Sequence, residues 1–237
     1  MKENSIRRAV REGRAALGTG LKEFASRGVP WIIEAAGFDY CAIDHEHGAF
    51  DMETIANMAS WFQATNVSAI VRIHKSFAHL IPGILDQGIM GIQVSEVETA
   101  QEARAIVRLA KYPPIGNRGI SGQGPHTGYK SYGARHATEY APWANENIII
   151  CPSIESLEGL ENVEEIAAVE GIDMIAYGHS DLSAQLGVHR VARGPGECRC
   201  RHIVAGRRGD ARRGRGGRSR QRSPRSRTRA HRAERRA

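Results

Sequence analysis

The sequence predicts an α/β fold of the (β/α)8 TIM-barrel type, with only about six β-α units present and an aberrant arginine-rich C-terminal tail. Three observations carry that expectation. Six short apolar runs alternate with amphipathic stretches over residues 1–188, the pattern of repeated β-α units around a parallel sheet. A chain of 237 residues and 26.0 kDa is long enough for one large single-core domain. No Gly-x-Gly-x-x-Gly follows the first run and no Walker motif occurs, so the nucleotide signatures of the doubly wound open sheet are missing. Two regions follow from this: an incomplete barrel over 1–188 and a tail over 189–237.

The strands are read, in order, as Ala16 to Gly20, Tyr40 to Asp44, Ser68 to Arg72, Ile89 to Val94, Ile148 to Glu155 and Ile172 to Gly178, the fifth being the most apolar. Between them, Ile55, Met58, Ala59 and Phe62 recur at helical spacing after an N-cap at Asp51, and Ala100, Ala103, Val107 and Ala110 repeat the pattern. A third helix follows Glu155, with Leu160, Val163 and Ala167 as its apolar stripe, Glu164 and Glu165 as its wet face, and Gly171 as its stop. Tyr112-Pro113-Pro114-Ile115-Gly116-Asn117-Arg118-Gly119 begins a long loop region that runs to about Asn147.

Charge divides the chain sharply. Residues 189–237 hold 18 of the 33 Lys+Arg and 3 of the 26 Asp+Glu, a balance of +15, which leaves 15 − 23 = −8 on residues 1–188. The tail has the Arg, Gly, Ala, Pro and Ser composition of a GC-rich coding region read out of frame. Its rival reading is a polyanion- or RNA-binding segment, salt-sensitive and without aromatic rings for base readout. Cys41 and Cys151 lie in apolar runs, and Cys198 and Cys200 form a close pair in the tail. None of these spacings resembles a zinc site or a disulfide framework. No run of about 18 apolar residues exists to span a bilayer, and residues 1–21 lack an apolar signal core, so a cytoplasmic protein is expected.

A barrel places its active site at the C-terminal ends of its strands. The polar residues there are Asp44 and His47 after the second run, Arg72 ending the third, Glu155 ending the fifth and Asp181 after the sixth. Two carboxylates, an arginine and an imidazole are what metal-assisted enolisation requires: oxygen ligands for a hard cation, a positive charge beside the developing enolate, and a base. Each has a plainer alternative. Glu155 could cap the following helix, Asp181 could be a helix N-cap, Arg72 could simply pair with one of them, and His45 with His47 could be a His-x-His metal pair.

Gly37-Phe38-Asp39-Tyr40-Cys41-Ala42-Ile43-Asp44-His45-Glu46-His47, Tyr112-Pro113-Pro114 with Arg118-Gly119, Ile154-Glu155 and Gly178-His179-Ser180-Asp181-Leu182-Ser183 closely resemble the HpcH/HpaI-type class II pyruvate aldolases, over nearly all of residues 1–188. The resemblance implies a phosphoenolpyruvate/pyruvate-type barrel that cleaves a 4-hydroxy-2-oxo acid to pyruvate and an aldehyde through a metal-bound pyruvate enolate. It implies Glu155 and Asp181 as ligands of a divalent metal (Mg²⁺, Mn²⁺ or Co²⁺), His47 supported by Asp44 as general base, and Arg72 beside the ketone oxygen. Ser180 and Asp181 match the site of the pyruvate carboxylate, and Ser153 stands where a pyruvate-contacting Gln is frequent. His45, Ser95 and His179 also depart from the family pattern, which bears on substrate choice. Family members assemble as homo-oligomers, commonly hexamers. A related barrel that cleaves citramalyl- or malyl-type CoA thioesters is the alternative. No Schiff-base lysine is required, and none of Lys22, Lys75, Lys111 and Lys130 is read as having a strand-end setting like that of the acidic set.

Overall fold

The computed structural model describes residues 2–187, so the expectations for the tail, including Cys198 and Cys200, lie outside the described residues. The elements run α1 (Ser5–Arg11), β1 (Gly18–Leu21), α2 (Val29–Ala35), β2 (Tyr40–Asp44), α3 (Met52–Gln63), β3 (Ser68–His74), α4 (Ile81–Asp86), β4 (Gly91–Ser95), α5 (Ala100–Ala110), α6 (Tyr140–Asn147), β5 (Ile149–Ile154), α7 (Leu157–Glu161), α8 (Val163–Ala167), β6 (Ala176–Tyr177) and α9 (His179–Gln185). The six strands form one sheet in the order β1-β2-β3-β4-β5-β6, every pair parallel. Parallel neighbours in sequence order, each joined by helical crossovers, are the β-α progression of a barrel, six units long among the described residues.

Strand residues alternate between two apolar environments, as the two-residue period of a strand requires. Cys41, Ile43, Ala69, Val71, Ile73, Ile92, Val94, Ile150 and Ile154 join the core shared with the helices. Their neighbours Tyr40, Ile70, Ile149, Cys151 and Ala176 join a separate inner cluster with Ile6 and Met174. The inner face is therefore largely apolar toward its base, where Ser68 of β3 accepts the Ser5 amide at 2.9 Å, and its charged side chains lie toward the C-terminal ends of the strands.

Helix starts follow their caps. Asp51 accepts from the Thr54 amide at 2.8 Å to open α3, and Thr99 with Glu102 forms a capping box that opens α5. Several boundaries differ from the sequence reading. The helix after Glu155 is broken at Asn162, which donates to the Glu98 carbonyl at 2.9 Å. The break turns Leu160 and Ala167 outward, so Gly159 and Ile166 become the buried contacts. The segment after Tyr112 is not loop throughout: it contains two 3-10 turns and α6. Pro142 hid that helix, yet it stands in the first turn, where its missing N–H has no intrahelical partner to lose. Strand β6 is only two residues long, and Arg72 lies inside β3 rather than at its end, because the strand continues through His74.

Candidate active site

The upper inner face of the sheet is where the sequence placed chemistry, and the register explains what meets there. Asp44 of β2 is opposite Arg72 of β3, which is opposite Gln93 of β4. Asp44 is buried and closes the turn that follows it: Oδ1 accepts the backbone amides of Glu46 at 3.0 Å and His47 at 2.9 Å. Only glycine fits at position 48, since a Cβ there would lie 2.1 Å from the Asp44 carbonyl oxygen. Asp44 Oδ2 faces Lys22 Nζ at 3.3 Å and Arg72 Nη1 at 3.7 Å. Burial opposes ionisation of this carboxyl, but the His47 amide, Arg72 and Lys22 outweigh it and hold its pKa below the ordinary value.

Arg72 is the hub. Its Nη2 lies 2.7 Å from Glu46 Oε2 and 3.4 Å from Glu155 Oε1, while its Nε is buried without a hydrogen-bond partner. Glu46 Oε2 likewise makes no directed hydrogen bond, so its contact with Arg72 is an ion pair off the donor axis. Glu155 directly follows β5 and is 7 % exposed. Burial, together with the nearby charges of Glu46, Asp181 and Glu96, pushes its pKa up to about 7 in spite of Arg72. Gly178 leaves room for it, since a Cβ there would approach the Glu155 carboxyl carbon to 2.9 Å.

Asp181 and Ser180 are exposed in the first turn of α9, and Ser180 Oγ is 3.4 Å from His179 Nε2. The N-cap of that helix is Gly178, and the cap after β5 is Ser156, so neither Asp181 nor Glu155 serves as a helix cap. Ser153 is buried and accepts from Gln93 Nε2 at 2.9 Å. The His47 imidazole is 57 % exposed, with Nε2 3.9 Å from Glu46 Oε2. Asp44 therefore supports His47 through its backbone amide rather than its ring. His45 turns away and meets the edge of Phe77 at 5.8 Å, so the two imidazoles do not form a pair.

The structure thus gathers Asp44, Arg72 and Glu155, sets Asp181 close enough to perturb Glu155, and leaves His47 on the rim. Sequence reasoning missed three participants. Glu46 joins Arg72 because the Asp44 turn carries it inward. Gln93 sits beside Arg72 in register. Lys22 does have a strand-end setting, against expectation: β1 ends at Leu21, one residue later than read, and Leu21 pairs with Ile43, which sets Lys22 opposite Asp44.

Among the described residues no three His, Cys, Asp or Glu side chains stand together as a closed metal cage. The pair Glu155 and Asp181 still fits a hard divalent cation, which commonly takes one or two carboxylates and fills its other positions with water or substrate oxygens. The raised pKa of Glu155 marks a place where added positive charge is favourable. No helix among the described residues is long and apolar enough to cross a membrane.

Comparison with known proteins agrees with this fold. Residues 30–210 match the family described as HpcH/HpaI aldolase/citrate lyase. The chain is 37 % identical over 188 residues to a 4-hydroxy-2-oxovalerate aldolase of Novosphingobium aromaticivorans, covering 78 % of this chain and 68 % of that protein. It is 35 % identical over 184 residues to a hydroxypyruvate/pyruvate aldolase of Deinococcus radiodurans, covering 78 % and 65 %. The chain thus spans about two thirds of the length of these relatives. The crystal structure of an HpcH/HpaI aldolase from Desulfitobacterium hafniense superposes with a TM-score of 0.70 at 31 % identity, covering 77 % of this chain and 69 % of that one. The inner row of Asp44, Arg72 and Glu155, the six parallel strands that carry it and these similarities lead to one conclusion: the chain belongs to the HpcH/HpaI aldolase/citrate lyase family of carbon–carbon lyases.

Proposed function

We propose that this chain carries the active site of a metal-dependent aldolase that interconverts a 4-hydroxy-2-oxo acid with pyruvate and an aldehyde. The observation that supports it most is Arg72, a guanidinium set among Asp44, Glu46 and Glu155 with its buried Nε unpartnered. A divalent cation held by Glu155 and Asp181 would supply Lewis-acid polarisation of the 2-oxo group.

The chain's own residues account for the rest. His47 takes the proton from the 4-hydroxyl as the C3–C4 bond breaks and the aldehyde leaves. The electron pair passes toward the 2-oxo oxygen, where Arg72 stabilises the negative charge that develops. Protonation at C3 then gives pyruvate, and the reverse order of events gives condensation. Asp44 is held ionised and fixes the 45–47 turn, so its part is to position His47. Ser180, Asp181 and Ser153 bound the space for the pyruvate end of the substrate. Mg²⁺, Mn²⁺ and Co²⁺ all suit a two-carboxylate site, and the buried free thiols Cys41 and Cys151 suit a reducing cytoplasm. Assembly into a homo-oligomer belongs to the same reading, with Trp31 and Ile32 exposed on α2 as apolar surface for contact.

The test is pyruvate release from a 4-hydroxy-2-oxo acid by the full chain, with and without Mn²⁺ and with a chelator, alongside citramalyl- and malyl-type CoA thioesters. Metal-dependent cleavage of the free acid is expected. Cleavage of the thioesters alone would assign the chain to the related lyases, and cleavage of the free acid unaffected by chelation would overturn the metal-dependent reading.

A further inference from the structure

Gln93 makes one side-chain hydrogen bond, to Ser153 of the next strand, and the fold sets it in the cleft. Its neighbours Ile92 and Val94 belong to the helix-facing core, so by strand alternation Gln93 faces inward. Its register partner is Arg72, and parallel strands place such partners about 4.8 Å apart on the same face. On the other side, Gln93 Nε2 donates to Ser153 Oγ of β5 at 2.9 Å, and Ser153 is 1 % exposed. An amide and a hydroxyl therefore span the inner surface between Arg72 on β3 and Glu155 at the end of β5.

A half-buried glutamine loses side-chain entropy and hydration, costs that an aliphatic residue in the same row would avoid. The ladder bonds of β4 do not use its side chain, and it caps no helix. The Ser153 contact consumes one amide hydrogen and one acceptor position, leaving Gln93 a second N–H and Ser153 its own hydroxyl hydrogen. Neutral donors suit this place. Asp44, Glu46, Glu155 and Asp181 crowd the cleft with negative charge against Arg72 and Lys22, and an anionic oxo acid gains hydrogen bonds from Gln93 without altering that balance.

Building on the aldolase reading, we propose that Gln93, anchored by Ser153, is a substrate-positioning residue that donates a hydrogen bond to an oxygen of the 2-oxo acid beside Arg72. The test is calorimetric titration of pyruvate into the full chain with Mn²⁺, comparing wild type with Gln93→Leu, the isosteric Gln93→Glu and Ser153→Ala, each variant also melted. Gln93→Leu should weaken pyruvate binding about tenfold, the loss of a hydrogen bond to a charged group. Gln93→Glu should weaken it further through charge repulsion, and Ser153→Ala about threefold by loosening the anchor. Melting temperatures should stay at the wild-type value. Wild-type affinity in Gln93→Leu or Gln93→Glu would overturn the assignment of Gln93 and leave the aldolase reading standing. A wild-type chain that binds no pyruvate would overturn both, and one that binds pyruvate through Gln93 but never turns over would overturn the aldolase reading alone.

Discussion

At the N-terminal ends of the strands, Lys111 is 1 % exposed, and its ammonium donates to the carbonyls of Asn145 and Ile148 and to Asp173. Asp173 in turn accepts the Ile150 amide at 2.9 Å and pairs with Arg7. At the C-terminal ends, Arg72 meets three carboxylates, yet its Nε has no partner, and burial pushes the Glu155 pKa up to about 7 in spite of Arg72. Both clusters put charge where water is scarce. The lower one ties α5 to the start of β5 and β6, its buried ammonium directed at three protein acceptors, whereas the upper one gathers three carboxylates about one guanidinium. Position separates the two: the lower network joins elements at the N-terminal ends of the strands, and the upper one lines the C-terminal ends, where a barrel keeps its active site.

That contrast can be broken most forcefully at Lys111. Lys111→Met should remove about 3–5 kcal/mol of stability, because it leaves buried carbonyls and a carboxylate without their cation; urea unfolding measures it, and a loss under 1 kcal/mol would mean the lower network is not structural. Arg72→Met should do the converse. Turnover should fall about 10²–10³-fold, the size expected for losing a donor to a developing oxyanion, with the urea midpoint close to wild type.

Lys22→Met should have a smaller effect. Lys22 offsets Asp44, and without it Arg72 is drawn toward that carboxylate and away from substrate; turnover should drop about threefold to tenfold, in the range for a partly exposed ion pair that also orients a neighbour. Lys22→Arg should restore most of it, and an unchanged rate in Lys22→Met would remove Lys22 from the site.

The smallest effect concerns stability and pH. Glu155 is an acid whose folded pKa, about 7, exceeds its ordinary 4.5, so between those values the folded state keeps a proton that the unfolded state releases. Stability therefore declines as pH rises through that window, and the penalty persists above it. Glu155→Gln removes the penalty and should melt slightly higher than wild type at pH 8 in the absence of metal, with no gain at pH 4; equal melting temperatures at pH 8 would contradict the raised pKa.

Much of this is legible in the sequence alone. The run Tyr40 to Asp44 is strand because its residues are apolar and bounded by Gly37 on one side and a polar turn on the other, and Asp51 marks the start of α3 because its side chain caps it. The acidic and basic residues at strand ends were visible because charge after an apolar run is unusual. What was hidden depended on register and turn geometry. Lys22 was missed because the glycine-rich first run does not show where it ends, and Gln93 because a neutral residue inside an apolar run carries no signal of the face it takes. The placement of Glu46 follows from two hydrogen bonds to Asp44 Oδ1, which no spacing rule reveals.

The central claim is that the open upper cluster exists to generate and stabilise an enolate. Its most direct measurement is the loss of the pyruvate methyl proton signal in D₂O, followed by NMR for the full chain with diamagnetic Mg²⁺. Exchange should be catalysed by wild type, abolished by chelation, and reduced at least about 10²-fold in both Glu155→Gln and Arg72→Met. Exchange that persists in either variant, or in the presence of chelator, would contradict the claim.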